Sequence, residues 1–239
     1  MPHPFERRFK QKIRQSEIAH FEPRRPPMAR RKVNAVASFH GHTPPRAVEP
    51  VTQLTIADRQ KAVTMMTRAF IADPPSRFLY PELDKYERAF PRFVSAFAGA
   101  AFDRQGAYGI GGLAGVALWL PPGAHPDETA LDMLFEDTIP AGRRAEVFEI
   151  IERMSNYHPA EPHWHLAMIG VEPDEVRKGY GSALLEAGLA RVDRSGQTAY
   201  LESTNPRNIP LYERFGFRLV GTIDTGRCPP IFPMVRRIA

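Results

Sequence analysis

The chain has 239 residues, 43% of them apolar and 25% charged, enough for one sizeable globular domain with tails. No apolar run approaches the roughly 18 residues of a membrane span, and the N-terminus lacks the apolar core of a secretory leader. A single cysteine, Cys228, excludes an intrachain disulfide and a cysteine metal cluster, so a reducing, cytoplasmic setting is expected.

The net charge of +5 is unevenly placed. Residues 1–50 hold 11 Lys/Arg against 4 Asp/Glu, while the other 189 residues hold 21 against 23. The body of the protein is therefore slightly acidic, and the basicity belongs to a tail. That tail carries eight prolines and little apolar periodicity, so residues 1–50 are expected to be disordered. A basic arm can bind phosphates, yet nothing in its pattern specifies a nucleic acid, and none is expected as a partner.

Val51 to Ile56 reads as a short first strand. Asp58 is a suitable cap for a helix through Ala62, Val63, Met66, Ala69 and Phe70, which Asp73-Pro74-Pro75 should stop. Phe78, Leu79 and Tyr80 then form an aromatic loop before Pro81. Tyr86, Phe90, Phe93, Val94 and Phe97 fall on one side of a second helix over Leu83 to Ala98, the pattern of a core-facing stripe. Gly106 to Ile110 and Leu113 to Leu120 read as a hairpin closed by Gly111-Gly112. Residues 124–160 are polar and helical in pattern, with Glu128, Asp132 and Glu136 on one face, in the main a solvated one.

His163 to Val171 is apolar enough for a buried strand. After Pro173-Asp174, the run Arg177-Lys178-Gly179-Tyr180-Gly181-Ser182 leads straight into a helical pattern from Ala183 onward. Two glycines one residue apart let a ligand approach the backbone, and a helix N-terminus offers free N–H groups, so the turn suits phosphate. Thr198 to Ser203 reads as another strand. Two helix starts compete after it: Asn205 with Pro206, or Asn208 with Pro210. Gly216 should end that helix, and Phe217 to Thr222 with Ile231 to Ile238 read as a closing pair of strands.

Two segments, Val171 through Leu185 and Leu201-Glu202 through Phe217, in this order and at this separation, resemble the GNAT superfamily of acyl-CoA-dependent N-acetyltransferases. The resemblance covers roughly residues 51–239. It implies an α/β fold with a mixed central sheet of about six to seven strands flanked by helices, and a helical insertion between the third and fourth strands. It also implies acetyl-CoA as co-substrate. Ile169, Gly170 and Val171 would pair with the pantetheine arm. Arg177, Lys178, Gly179, Tyr180, Gly181 and Ser182 would cradle the pyrophosphate. Asn205 would contact the cofactor, and Tyr212 would act as general acid. One departure is Val176, where the family pattern has Gln or Arg.

The reaction also needs a base. Glu202, at the end of its strand, is the first choice and His165 the second. His158, His163 and His165 suggest a metal, but no carboxylate or cysteine stands at ligand spacing, so none is expected. The Arg68 to Pro75 and Ala117 to Gly123 runs are similar to puromycin-type small-molecule acetyltransferases. This implies a small primary amine as acceptor, with Phe78, Tyr80, Trp119 and the insertion walling its pocket. Acetylation of protein N-termini or lysines, or acyl-CoA sensing without turnover, are the alternatives. No oligomeric state follows from the sequence.

Overall fold

The computed structural model describes residues 49–237; the basic tail, apart from Glu49 and Pro50, lies outside them. The architecture is α/β, with one seven-stranded sheet in the order β1-β2-β3-β4-β5-β7-β6. Its strands are β1 (Thr52–Gln53), β2 (Ala107–Ile110), β3 (Gly115–Leu120), β4 (His163–Val171), β5 (Thr198–Ser203), β6 (Arg218–Leu219) and β7 (Phe232–Arg236). Neighbours run antiparallel except β4 and β5, which are parallel, so the sheet is mixed as expected.

Eight helices flank it: α1 (Arg59–Ala69), α2 (Pro74–Leu79), α3 (Leu83–Ala98), α4 (Ala100–Asp103), α5 (Glu128–Thr138), α6 (Ala141–Ser155), α7 (Tyr180–Ser195) and α8 (Ile209–Arg214). Helices α5 and α6 form the anticipated insertion between β3 and β4. Alternation along β3 divides the core. Val116, Leu118 and Leu120 join the cluster built with α1 and α3, while Ala117 and Trp119 join the one built on α7.

Several local expectations are corrected. The first strand is only two residues long, because Thr55 and Asp58 form a reciprocal cap on a 3-10 turn at Ile56–Asp58. Asp58 therefore serves that turn rather than capping α1 with its side chain. Asp73-Pro74-Pro75 does more than stop α1. Asp73 accepts from the Ser76 amide at 3.0 Å and Pro74 takes the first position of α2, so the expected aromatic loop is mostly helix. The hairpin turn spans Gly111–Ala114 and carries Leu113 at φ 74, so it is longer than a Gly-Gly connection. Both competing helix starts are used: Asn205 caps a 3-10 turn at Pro206–Asn208, and α8 follows from Ile209.

The centre of the sheet is irregular in a way that matters for function. Leu118 faces Met168 and Trp119 faces Leu166, so Ala167 is an extra residue in β4. This bulge reverses the alternation. Before it, Trp164 and Leu166 face α7; after it, Ile169 and Val171 do. Pairing between β4 and β5 ends at Leu166–Leu201. Beyond that point Met168 to Val171 pair with β3 alone. Their other edge takes no strand partner among the described residues.

Candidate acyl-transfer site

The bare edge of β4 leads to the glycine turn. Arg177 (φ 66) and Gly179 (φ 86) both adopt the left-handed conformation, and α7 begins at the next residue. Ala183 is the first amide in α7 to reach back into the turn, donating to Gly179 O at 3.0 Å, and no side chain caps the helix. The amides of Tyr180, Gly181 and Ser182 come before it, at the positive end of the helix dipole. The side chains contribute less than the sequence suggests. Lys178 is paired with Glu175. Tyr180 turns into the core, its hydroxyl donating to Glu49 at 3.3 Å. Ile169 and Val171 pack toward α7, and Gly170 lies against Ala69 and Met66 of α1, so these three residues offer backbone to the edge. Asn205 spends its carbonyl oxygen on the Arg207 amide at 3.0 Å.

Glu202 is the first residue of β5 beyond its last pair with β4, so it stands where the two strands part. With Tyr200 it lies on the face opposite Ala199 and Leu201, away from α7. His165 Nε2 is 2.8 Å from Glu202 Oε2, and both side chains are at least nine-tenths buried. His158 Nε2 is 3.3 Å from Oε1, near enough to lower the carboxyl pKa as a weak hydrogen-bond neighbour but outside strict hydrogen-bond geometry, which leaves Oε1 without a partner. Burial would push the Glu202 carboxyl up. The imidazoles of His165 and His158 outweigh it and hold the group well below the usual carboxylate range. The carboxylate is thus ionised at neutral pH and locks the His165 ring. The fold also supplies what the sequence lacked, because β5 brings a carboxylate to within 4.8 Å of two histidine nitrogens. The ground for expecting no metal therefore falls.

Tyr212, on α8, is buried against Phe217. Burial and then the negative charge of Asp73 push its hydroxyl pKa up, so it holds its proton at neutral pH. Asp73 has a role that the sequence reading, which takes it as part of a helix stop, does not assign. It accepts from the Ser76 amide and hydroxyl and from the hydroxyl of Thr204, one residue before Asn205. The same carboxylate adds to the upward push on Tyr86 and Cys228, the latter raised to about 11 chiefly by burial. A charged side chain between α1 and α2 is thus placed among β5, α8 and the C-terminal segment. The signal was present as Asp before Pro-Pro, but in the sequence it reads as a helix stop.

The three expected pocket walls are not brought together. Trp119 is fully buried on the α7 side of the sheet, where a Cβ on Gly188 would lie 2.1 Å from its Nε1. It is core and lines no open pocket. Tyr80 is buried beside Thr138, its hydroxyl 3.1 Å from Oγ1. Phe78 alone remains half-buried, against Ile150, Ile223, Cys228 and Ile231 and under the Arg143 guanidinium. A shallow depression bounded by Lys61, Arg68, Gly111, Gly112 and Glu172 lies at the opposite end of β4 from His165.

A profile of the Acetyltransferase (GNAT) family matches residues 141–217, which contain β4, its bare edge, the glycine turn, Glu202 and Tyr212. That stretch is of the GNAT family, and it supports an acyl-CoA-dependent N-acetyltransferase. Over 174 residues, 67% of this chain and 70% of the relative, it is 27% identical to an uncharacterized N-acetyltransferase of Schizosaccharomyces pombe. A shorter stretch of 71 residues is 41% identical to a mycothiol acetyltransferase of Propionibacterium freudenreichii, of whose length it covers 22%. Among solved structures, a Corynebacterium glutamicum protein described as histone acetyltransferase HPA2 and related acetyltransferase is 25% identical. It superposes with a TM-score of 0.59 over 80% of this chain and 97% of that one. Arylalkylamine N-acetyltransferase 2 of Aedes aegypti shares the fold (TM-score 0.57, 14% identity, 79% of this chain and 98% of that one).

Proposed function

We propose that this GNAT enzyme moves the acetyl group of acetyl-CoA to the primary amine of a small cationic molecule, by direct attack in a ternary complex. The observation that carries the reading is the unpaired edge of β4 running from the glycine turn to Glu202. An extended edge offers N–H and C=O groups to the peptide-like pantetheine arm, with Ile169 to Val171 as its partners. The amides of Gly179 to Ser182 receive the pyrophosphate at the helix terminus. This alignment delivers the thioester to the parting of β4 and β5, beside the Glu202–His165 pair.

The residues then divide the chemistry. The pair takes a proton from the substrate ammonium, giving the neutral amine. A backbone N–H of the 169–171 segment polarises the thioester carbonyl while the amine nitrogen bonds to its carbon. The C–S bond breaks with its electrons going to sulfur. Tyr212 donates its proton to the thiolate and regains one from the nitrogen that has become an amide. The sum is amide, free thiol and one proton released to solvent. Asp73 supports the choice of a cationic acceptor, as does the apolar wall made by Phe78, α6 and the 223–231 segment around it.

The test is thiol release from acetyl-CoA across a panel of small amines, with lysine and N-terminal peptides as comparators. Turnover on a small amine is expected, and Tyr212→Phe should lower it by roughly 10²-fold. Turnover on peptides alone would replace the small-molecule reading with a protein acetyltransferase. Tight acetyl-CoA binding with no turnover on any acceptor would make the protein a sensor.

A further inference from the structure

Three histidines meet around Glu202, and their contacts settle which nitrogens carry protons. The Glu161 carbonyl can only accept, so His163 Nδ1, 2.9 Å away, is an N–H. Neutral His163 then presents a lone pair at Nε2, 3.1 Å from His158 Nδ1, which must donate. In that tautomer His158 turns Nε2 toward Glu202 Oε1, 3.3 Å away, with a lone pair free for an ion whenever the ring carries one proton. Oε1 is buried and has no hydrogen-bond partner, on a side chain only 5% exposed. A buried carboxylate oxygen left in this way is costly unless a donor or a cation completes it, and the buried Tyr200 hydroxyl beside it is equally without a hydrogen-bond partner.

The space between these atoms suits one. One ligand nitrogen each of His158 and His165 and a Glu202 oxygen lie within 4.8 Å of one another, so small side-chain shifts would gather them around a single ion at bonds of about 2.0–2.2 Å. We propose that His158, His165 and Glu202 bind one divalent transition cation of the Zn²⁺ type. Two imidazoles with one carboxylate favour such an ion over Mg²⁺ or Ca²⁺, which take oxygen ligands. His163 is the outer partner. Its chain from Glu161 to His158 fixes the tautomer that turns Nε2 toward the ion, as outer hydrogen bonds do at histidine metal sites. Ligands come from the segment before β4, from β4 and from β5, so no local spacing in the sequence announces the site.

One consequence rests on the proposed function, although the binding itself does not. An ion held here occupies the pair assigned to accept the substrate proton, so it inhibits acetyl transfer. Zinc then acts as a reversible brake on the enzyme.

The experiment uses full-length protein stripped with a chelator and dialysed against Zn²⁺ at low micromolar concentration. Retained metal is measured by mass spectrometry, and Co²⁺ is added to a parallel sample for its visible absorption. One zinc per chain and cobalt bands of a nitrogen–oxygen site are expected, with a hundredfold excess of Mg²⁺ failing to compete. His158→Ala should abolish both signals, and His163→Ala should weaken binding roughly 10–100-fold. Circular dichroism melting of each variant checks that it is folded. Absence of stoichiometric metal in the parent protein overturns the proposal, and Glu202 Oε1 is then completed by a proton on His158 or by the Tyr200 hydroxyl. Stoichiometric metal that survives His158→Ala also overturns it, assigning the ion to other histidines. Thiol release by the chelated protein tests the acetyltransferase reading separately. Added zinc should suppress it, chelator should restore it, and His158→Ala protein, whatever its own rate, should not respond.

Discussion

The glycine turn and the cluster around Glu202, the two halves of the proposed site, are built by opposite means. The turn uses ten or so consecutive residues and acts through main-chain amides, while its side chains are spent elsewhere: Lys178 on Glu175, Tyr180 on the core. The proposed chemistry uses side chains of residues 158, 163, 165 and 202 together with 73 and 212, carried by the insertion's end, two strands, α2's cap and α8. Cofactor recognition of the first kind tolerates changes of side chain but not of backbone conformation. Chemistry of the second kind tolerates neither loss of charge nor loss of position. Substitutions that separate backbone from side-chain roles should therefore affect the two regions differently.

The largest separation is expected at Glu202→Gln. The amide keeps the shape and removes the charge that locks His165. Amine turnover should fall by about 10²–10⁴-fold, the usual range for a lost acid–base group, while the KM for acetyl-CoA stays within a few-fold of the parent. Steady-state kinetics with each substrate varied in turn measures both. An equal loss in acetyl-CoA affinity would merge the two halves and sink the distinction.

Gly179→Ala is the counterpart in the turn. A Cβ there meets nothing within 4 Å, so the change acts through the torsion alone, at φ 86. Holding a non-glycine residue left-handed costs about 1–2 kcal/mol. The KM for acetyl-CoA should rise by roughly tenfold with little change in the rate at saturation. A fall in that rate with unchanged KM would show that the turn serves chemistry rather than binding.

Asp73→Asn should produce a smaller effect on the other side. Asparagine preserves the cap on α2, since it accepts from an N–H as well as aspartate does. What disappears is the charge that reaches Tyr212 and Cys228. The KM for a cationic amine should rise several-fold, about 1 kcal/mol for one partly screened charge, while a neutral hydroxylamine acceptor of similar size is unaffected. Equal losses for both acceptors would assign Asp73 to structure.

The same contrast explains what could be read from the chain in advance. The boundaries of β4 and α3, the insertion and the strand–turn–helix at 163–195 follow from local periodicity and punctuation, and they stand in the structure as expected. The bulge at Ala167 does not, because it depends on the register imposed by β3. Trp119 misled for a related reason. Alternation says that it faces one side of the sheet, but only the packing of Gly188 of α7 shows that this side is sealed. Asp73 and Glu202 were visible as residues but not as neighbours of Tyr212, His158 and His165. Those pairings span 37 to 139 positions and arise only when strands, helices and loops pack together.

Val176→Gln is the smallest and most diagnostic change. Val176 follows the 3-10 turn at Pro173–Glu175 in an extended conformation, with half of its surface open to solvent, so it contributes little to packing. It precedes Arg177, where the chain enters the left-handed conformation that aims the following amides. Family resemblance places a polar side chain at this point, and on the proposed function the turn binds without one. Glutamine adds a donor beside the amides and removes no contact of consequence. One hydrogen bond to a phosphate oxygen is worth about 0.5–1.5 kcal/mol, so acetyl-CoA should bind equally well or up to about tenfold tighter, as read by calorimetry. The amine KM should not move, because the acceptor half is built from other segments. A clear loss of acetyl-CoA affinity would mean that the exposed face of Val176 already contacts the ligand through its apolar surface, and that the pyrophosphate lies elsewhere along the helix terminus.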